Sequence, residues 1–217
     1  MADKRGRASA GLQSDAVVAE RPDDVRNVVL VGHAGAGKTT LVEALLVEAG
    51  ALDRAGTVED GTTVSDHEPI EHRTGRSVSL SVASLSHDGV KVNLLDTPGH
   101  DDFVGEVRAG LRAADGALFV VSAVDGVDAA TRVLWEECAA VGMPRAVVVT
   151  RLDHHRADFD EVVAICRRVL DEGVVPLHLP MADDDGTVAG LLSLPRRRVV
   201  DHSGGGRQER DPDPEHL

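Results

Sequence analysis

A glycine-rich motif near the start of the chain reads Gly32-His33-Ala34-Gly35-Ala36-Gly37-Lys38-Thr39 and continues with Thr40. It matches the pattern G-x-x-x-x-G-K-[ST], follows the short apolar run Asn27–Val31, and precedes Leu41–Ala49, where apolar residues recur at helical spacing. A strand, a loop and a helix in this order allow backbone N–H groups and the helix N-terminus to surround a phosphate. The sequence therefore predicts a phosphate-binding loop, although the pattern alone also fits an ordinary glycine-rich turn. The residues assigned to phosphate binding are Gly32, His33, Ala34, Gly35, Ala36, Gly37, Lys38, Thr39 and Thr40.

A second motif, Asp96-Thr97-Pro98-Gly99-His100, follows the apolar run Val92–Leu95, which is predicted to be a strand. Asp96 is expected to hold Mg²⁺ through water, together with the hydroxyl of Thr39, while Lys38 reaches the β- and γ-phosphates. Gly99 offers a backbone N–H to a γ-phosphate with no side chain in the way. We interpret His100 as the catalytic residue that orients the attacking water. Taken alone, the string also fits an ordinary Pro-Gly turn.

A third motif, Thr150-Arg151-Leu152-Asp153, follows the apolar run Val147–Val149. Proteins that hydrolyse GTP carry Asn-Lys-x-Asp at such a place, and the Asp accepts two hydrogen bonds that guanine can donate and adenine cannot. Asp153 retains this selector, and the stem of Arg151 can cover the base. Thr150 replaces the Asn, so we expect nucleotide binding to be weaker by about 1–2 kcal/mol. The alternative is a surface Asp that happens to follow a strand.

The rest of the chain alternates predicted strands and helices. Val78–Leu85 and Val90–Leu95 predict a hairpin around the turn residues His87-Asp88-Gly89. This order of elements predicts an α/β fold of the P-loop NTPase type, with a mostly parallel sheet and helices on both faces. The other predicted helices cover Phe103–Ala113, the face of Val127, Ala130, Leu134, Cys138 and Val141, and the face of Phe159, Val163, Cys166 and Leu170; the other predicted strands are Ala117–Val121, Ala146–Val149 and Val174–Leu179.

The composition restricts the partners that the chain can have. Its 217 residues carry a net charge of −14, which argues against binding nucleic acid through this segment, either non-specifically or by sequence. The sequence contains no apolar run near the roughly 20 residues that a membrane helix needs, and no apolar signal-peptide core. Cys138 and Cys166 lack a metal-type spacing and are interpreted as buried thiols. We therefore expect a cytoplasmic protein that does not contact a membrane.

Together, the three motifs resemble those of translational GTPases, most closely the elongation factor G family and within it a divergent paralogue. The resemblance is carried by D-T-P-G-H-D-D-F-V-G-E-V, A-D-G-A-L-F-V-V-S-A-V-D-G-V and T-R-L-D-H-H-R-A-D-F, between Asp96 and Phe159. It implies GTP or GDP as the ligand, Mg²⁺ as the metal and the ribosome as a partner. Ser77 stands where a Thr of the family binds Mg²⁺ and caps the γ-phosphate, although a polar residue before a strand is the simpler explanation. Gly35 replaces an Asp that helps the family to hold a monovalent cation.

The resemblance also divides the chain and sets the expected function. We expect a disordered leader over residues 1–24, a GTP-binding core over 25–173, and over 174–217 the start of an insert typical of the family, with a disordered tail. The chain is expected to end inside this insert, before the last guanine-contacting loop and the domains that carry translocation. Mg²⁺-dependent GTP hydrolysis in translation is the expected function. A nucleotide- or ribosome-binding module without effective catalysis, or a non-functional fragment, remains an alternative.

Overall fold

Five strands form the sheet from which the three motifs emerge. The computed structural model describes residues 17–58, 60–65, 77–183, 187–203 and 206–213. A single 3₁₀ turn, Pro22–Asp24, precedes the first strand. The strand order across the sheet is β2-β3-β1-β4-β5. The strands are β1 (Val25–Val31), β2 (Ser81–His87), β3 (Val90–Asp96), β4 (Gly116–Ser122) and β5 (Arg145–Thr150).

The sheet is mostly parallel, as predicted. Strand β1 pairs in parallel with β3 and with β4, and β2 runs antiparallel to its neighbour β3. Leu30 of β1 lies opposite Asp96 of β3, so both strands end at the same edge of the sheet. The loops that follow these strands therefore begin side by side. This is the arrangement of the P-loop NTPase α/β fold, and the predicted fold class is confirmed.

The predicted hairpin is formed by β2 and β3. Asp88 and Gly89 connect the strands with φ angles of 49° and 79°. Two successive residues with positive φ give a turn whose twist matches that of the strands. The turn sets the register in which Leu85 pairs with Val92 and Ala83 with Leu94.

In the described part of the chain, four helices connect these strands or come after the last one. Local sequence determines where these helices begin. Asp128 caps the helix Ala129–Ala140 by accepting a hydrogen bond from the Thr131 backbone N–H at 2.8 Å. Asp158 caps the helix Phe159–Val169 by accepting one from the Glu161 backbone N–H at 2.9 Å. The first helix starts at Lys38, inside the glycine-rich motif and three residues before Leu41, where the apolar stretch that predicted it begins. The helices are α1 (Lys38–Glu48), α2 (Val104–Ala113), α3 (Ala129–Ala140) and α4 (Phe159–Val169).

The core around the central strands is aliphatic, with one aromatic pair. Leu30, Leu46 and Val120 are fully buried in one cluster with neighbours from α1, β2 and β3. Phe119 meets Trp135 edge-on, with 5.0 Å between ring centroids. Because apolar burial contributes about 25 cal/mol per Å², this packing holds β1 and β4 in place beneath the motifs.

A second, antiparallel sheet lies near the end of the chain and differs from the sequence-based expectation. We expected a strand over Val174–Leu179 and a disordered tail, whereas four strands pair in the order β6-β7-β8-β9. Leu192 and Val199 are buried on this sheet, so the short apolar segments between the charged residues provide its core. Its strands are β6 (His178–Ala182), β7 (Val188–Ser193), β8 (Arg198–Asp201) and β9 (Gln208–Arg210).

The chain divides into two compact units. The first comprises residues 1–121 and 128–148, and the second residues 122–127 and 149–217. The predicted boundary at residue 173 falls inside the second unit, between α4 and β6. Most of the predicted leader, residues 1–16, lies outside the described residues. Within the described part of the chain, no helix is both long and apolar enough to cross a membrane.

Candidate nucleotide site

The glycine-rich loop lies between β1 and α1, and its backbone has a conformation that requires glycine. Gly35 and Gly37 have φ angles of 79° and 92°, in the left-handed region that L side chains rarely adopt. Gly37 is the last residue before α1, so the loop turns directly into the first turn of the helix. The N-terminus of a helix favours an anion, so the start of α1 suits a bound phosphate.

Lys38 is buried beneath this loop with its ammonium turned towards backbone oxygens. It is 6% exposed, and its Nζ donates hydrogen bonds to the carbonyls of Gly32 at 2.6 Å and His33 at 3.0 Å. Burial lowers the pKa of Lys38 from 10.5 to about 8, and the charges of Asp96 and Asp128 oppose this shift. A cation removed from water in this way interacts strongly with any anion that enters the loop.

Two of the predicted metal ligands lie together at the start of α1. The hydroxyl of Thr39 donates a hydrogen bond to Asp96 Oδ2 at 2.7 Å, and Asp96 is only 2% exposed. The next residue, Thr97, donates to the Leu30 carbonyl at 2.5 Å and so fixes the end of β3 against β1. A hydroxyl and a carboxylate are the oxygen donors that Mg²⁺ prefers, so this pair fits the predicted metal. Ser77 is half-buried in the segment before β2, and its role as a third ligand stays a prediction.

Gly99 contacts the glycine-rich loop so closely that no side chain fits. A Cβ built on Gly99 would lie 2.5 Å from Lys38 Nζ and 2.6 Å from the backbone nitrogen of Ala34. The second motif therefore packs directly on the first. This contact brings the backbone of Gly99 to the group that is predicted to bind phosphate.

His100 lies at the surface beside this contact. Its side chain is 45% exposed, and its Nδ1 lies 3.3 Å from Asp102 Oδ2. The backbone N–H of Asp102 is 3.4 Å from the same nitrogen, so the tautomer decides which contact forms. Phe103 packs edge-on against the imidazole, with ring centroids 6.3 Å apart. His100 is thus held through Nδ1 and one edge of its ring.

A cleft opens between the two motifs and the helices α2 and α3. Asp128, at the N-terminus of α3, lines it opposite the glycine-rich loop, and its charge acts on Lys38. Asp128 is not among the residues that the sequence predicted for the site. Its position before an apolar helical stretch indicates a helix cap. Nothing in the sequence indicates that it lies near Lys38. The cleft is lined by Val31, Gly32, His33, Pro98, Gly99, His100, Val104, Val107, Asp128, Ala130, Thr131 and Leu134.

The third motif belongs to the second unit and has its own network. Thr150 ends β5, and Arg151 adopts a left-handed φ of 57°, which is unusual for a residue with a long side chain. Arg151 Nη1 lies 3.5 Å from Asp125 Oδ2, and the same oxygen accepts a hydrogen bond from the buried Ser122 at 2.8 Å. Asp153 is exposed. No motif in the sequence indicates Ser122 or Asp125 as part of this network, because only the fold places Asp125 beside Arg151 and Ser122 beside Asp125.

The structure thus brings Lys38, Thr39, Asp96 and Gly99 together in the first unit, with His100 at their edge. It places Thr150, Arg151 and Asp153 in one turn of the second unit.

Comparisons with known proteins show the family to which the chain belongs. A family model described as the elongation factor Tu GTP binding domain matches residues 23–198. An elongation factor G-like protein of Mycobacterium tuberculosis is 53% identical over 98% of this chain and 29% of that protein. Elongation factor G 2 of Streptomyces coelicolor is 39% identical over 81% of this chain and 26% of that protein. A solved structure from Thermus thermophilus superposes with a TM-score of 0.81 at 42% identity, covering 88% of this chain and 28% of the other.

The chain spans less than a third of the length of these relatives. The family match covers all three motifs and every strand of the first sheet. The chain therefore belongs to the elongation factor Tu GTP-binding domain family.

Proposed function

We propose that this domain binds GTP and GDP with Mg²⁺ and hydrolyses GTP as part of a ribosome-linked translation factor. The observation that carries the proposal is the contact of Gly99 with Lys38, because it joins the phosphate-binding loop to the loop that follows Asp96. The elongation factors among the relatives support the translational context. We expect the protein to act in the cytoplasm and to use neither a membrane nor a specific nucleic-acid sequence.

Phosphate binding depends mainly on Lys38. Its ammonium is desolvated and hydrogen-bonded to two loop carbonyls, so phosphate oxygens can take over these bonds without a further loss of hydration. The left-handed Gly35 and Gly37 keep the loop open for its backbone N–H groups to turn inward. Each charge-assisted hydrogen bond of this type contributes about 1.5–3 kcal/mol.

Thr39, Asp96 and Ser77 would hold Mg²⁺. The first two already lie within 2.7 Å of each other, and each offers an oxygen donor. A Mg²⁺ ion held by these oxygens would supply positive charge that offsets the negative charge of the phosphates. Gly35 provides no carboxylate of the kind that the family uses for a monovalent cation, so we expect no dependence on such a cation at this position.

His100 would orient the attacking water. With a proton on Nδ1 shared with Asp102, the other ring nitrogen, Nε2, is left to accept a hydrogen bond from water. His100 is close to half exposed, so its surroundings leave it room to move relative to a bound phosphate. We therefore expect slow hydrolysis by the isolated chain and stimulation by a partner, for which the ribosome is the candidate.

Base recognition is assigned to Asp153, with Arg151 covering the base. The left-handed backbone of Arg151 and its ion pair with Asp125 hold the turn that presents Asp153. Thr150 lacks the amide of the family's Asn, which leaves affinity weaker by about 1–2 kcal/mol.

Titration with a fluorescent GDP in Mg²⁺ buffer tests the proposal. Wild-type protein should bind saturably, and Lys38→Ala should lose detectable binding because it removes the buried cation. Lys91→Ala is the matched control, since Lys91 lies near the start of β3, at the end opposite Asp96, and its loss should leave binding unchanged. Equal affinities of the Lys38→Ala and wild-type proteins would remove the phosphate assignment.

A further inference from the structure

Carboxylates of α1 and α2 accept hydrogen bonds from backbone N–H groups of residues that lie between α1 and β2. Glu43 of α1 is 1% exposed, and both of its oxygens are engaged: Oε2 accepts from the Gly56 N–H at 2.7 Å and Oε1 from the Val64 N–H at 2.6 Å. A buried carboxylate with two such bonds is well satisfied, whereas a buried N–H that loses its acceptor costs about 1–3 kcal/mol. Gly56 and Val64 are therefore fixed to α1, the helix that continues the phosphate-binding loop.

Glu106 makes the corresponding contact from α2. Its Oε2 accepts a hydrogen bond from the Leu80 N–H at 3.2 Å. One turn further along α2, a Cβ built on Gly110 would lie 2.8 Å from Leu80 Cδ1 and 3.0 Å from Val29 Cγ2. The absence of a side chain at Gly110 lets α2 approach both β1 and Leu80. Leu80 is thus attached to α2 by a hydrogen bond and by packing.

The hydrogen bonds of Glu43 and Glu106 attach different parts of this chain segment to different helices. Leu80 follows Ser77 by three residues, so Ser77 lies within about 10 Å of the attachment point at Leu80. Helix α2 begins at Val104, four residues after His100. A helix moves as a rigid element, so a change at the His100 loop that shifts α2 also shifts Glu106 and, through it, Leu80. Glu43 instead lies on α1 and bonds to Gly56 and Val64, so it does not link α2 to the segment before β2.

We propose that Glu106 is a positioning residue that couples the segment carrying Ser77 to the loop carrying Gly99 and His100. This inference rests on the proposed function, in which both segments meet the γ-phosphate of GTP. A γ-phosphate bound by one segment then favours binding by the other, because α2 moves both together. GDP has no γ-phosphate, so its affinity does not depend on the coupling.

The test compares the affinity of a non-hydrolysable GTP analogue with that of GDP in Glu106→Ala and Glu106→Gln. Loss of one hydrogen bond to a charged acceptor should weaken the analogue by about tenfold to a hundredfold in Glu106→Ala, while GDP affinity stays within about twofold. Glu106→Gln keeps a carbonyl acceptor for the Leu80 N–H and should therefore retain most of the wild-type affinity for the GTP analogue. Equal losses for both nucleotides, or no loss for either, would overturn the proposal.

A second readout does not need nucleotide. Glu106→Ala should raise hydrogen exchange at the Leu80 amide, whereas exchange at Gly56 and Val64 stays unchanged because Glu43 holds them. If the wild-type chain binds neither nucleotide, the proposed function is wrong. The exchange measurement still tests the hydrogen bond in that case, because unchanged exchange at the Leu80 amide in Glu106→Ala would refute its attachment to Glu106. Thermal unfolding of both variants separates a local change from loss of the fold.

Discussion

The pH dependence of nucleotide affinity follows from the buried position of Lys38. Its pKa in the free protein is about 8, so the ammonium is about 0.9 protonated at pH 7 and about 0.1 protonated at pH 9. Bound phosphate stabilises the charged form and raises this pKa in the complex. Above pH 8 the protein therefore takes up a proton when it binds nucleotide, and its affinity falls as the pH rises.

The expected size of the effect is about a tenfold loss of affinity between pH 7 and pH 9, provided that the pKa of Lys38 in the complex is about 10 or higher. Fluorescent GDP titrations at constant ionic strength across this range measure it directly. Lys38→Arg is the control, because a guanidinium stays charged throughout and any titration of the nucleotide itself affects both proteins equally.

Calorimetry supplies an independent measurement if the arginine variant does not bind. Titrations at pH 9 in two buffers of different ionisation enthalpy should show uptake of about 0.9 proton per GDP bound. An affinity of the wild-type protein that stays flat from pH 7 to pH 9, with no proton uptake, would refute the reasoning. Lys38 would then be an ordinary solvated lysine or would not contact the phosphates.

Two further substitutions test the neighbouring groups. Gly99→Ala should weaken GDP binding at least about tenfold, since its Cβ would lie 2.5 Å from Lys38 Nζ and 2.6 Å from the Ala34 nitrogen, whereas Gly105→Ala, with open space around the added methyl, should bind normally in the same titration. Normal binding by Gly99→Ala would show that the two loops separate when nucleotide binds. His100→Ala should leave GDP affinity within a few-fold and lower ribosome-stimulated turnover by about 10²-fold or more. Unchanged turnover in a phosphate-release assay would exclude His100 as the residue that orients water.

The parts of the fold that the sequence predicts are those with local signals. The glycine-rich loop between Asn27–Val31 and α1 is one such part, because glycine spacing and apolar runs lie close together along the chain. The hairpin at Asp88 and Gly89 is another, since the turn chemistry itself sets the register. In the loop and in the hairpin, a short stretch of sequence determines the backbone geometry.

The second sheet was missed because its signals are weak and its pairing is not local. Its strands are three to six residues long, and charged residues such as Arg198 and Asp201 interrupt the apolar pattern. Burial of Leu192 and Val199 becomes favourable only when the strands have paired. Composition alone therefore indicated disorder where the structure forms β6 to β9.

Several polar residues of the site were also beyond sequence reasoning. Glu43 reads as one acidic residue of a helix, and its burial depends on backbone N–H groups 13 and 21 residues further along the chain. Asp128 and Asp125 carry turn and cap signals that fit many surface loops. Their relation to Lys38 and Arg151 exists only in three dimensions, through the order of the strands.

Displacement of fluorescent GDP by unlabelled GTP and ATP, in Mg²⁺ buffer at pH 7, tests whether this domain has a guanine-specific nucleotide site. We expect GTP to displace the probe and ATP at the same concentrations to leave it bound, because Asp153 accepts hydrogen bonds that only guanine donates. Equal displacement by ATP would contradict the assignment of Asp153. The absence of any binding by a folded sample would contradict the nucleotide site itself.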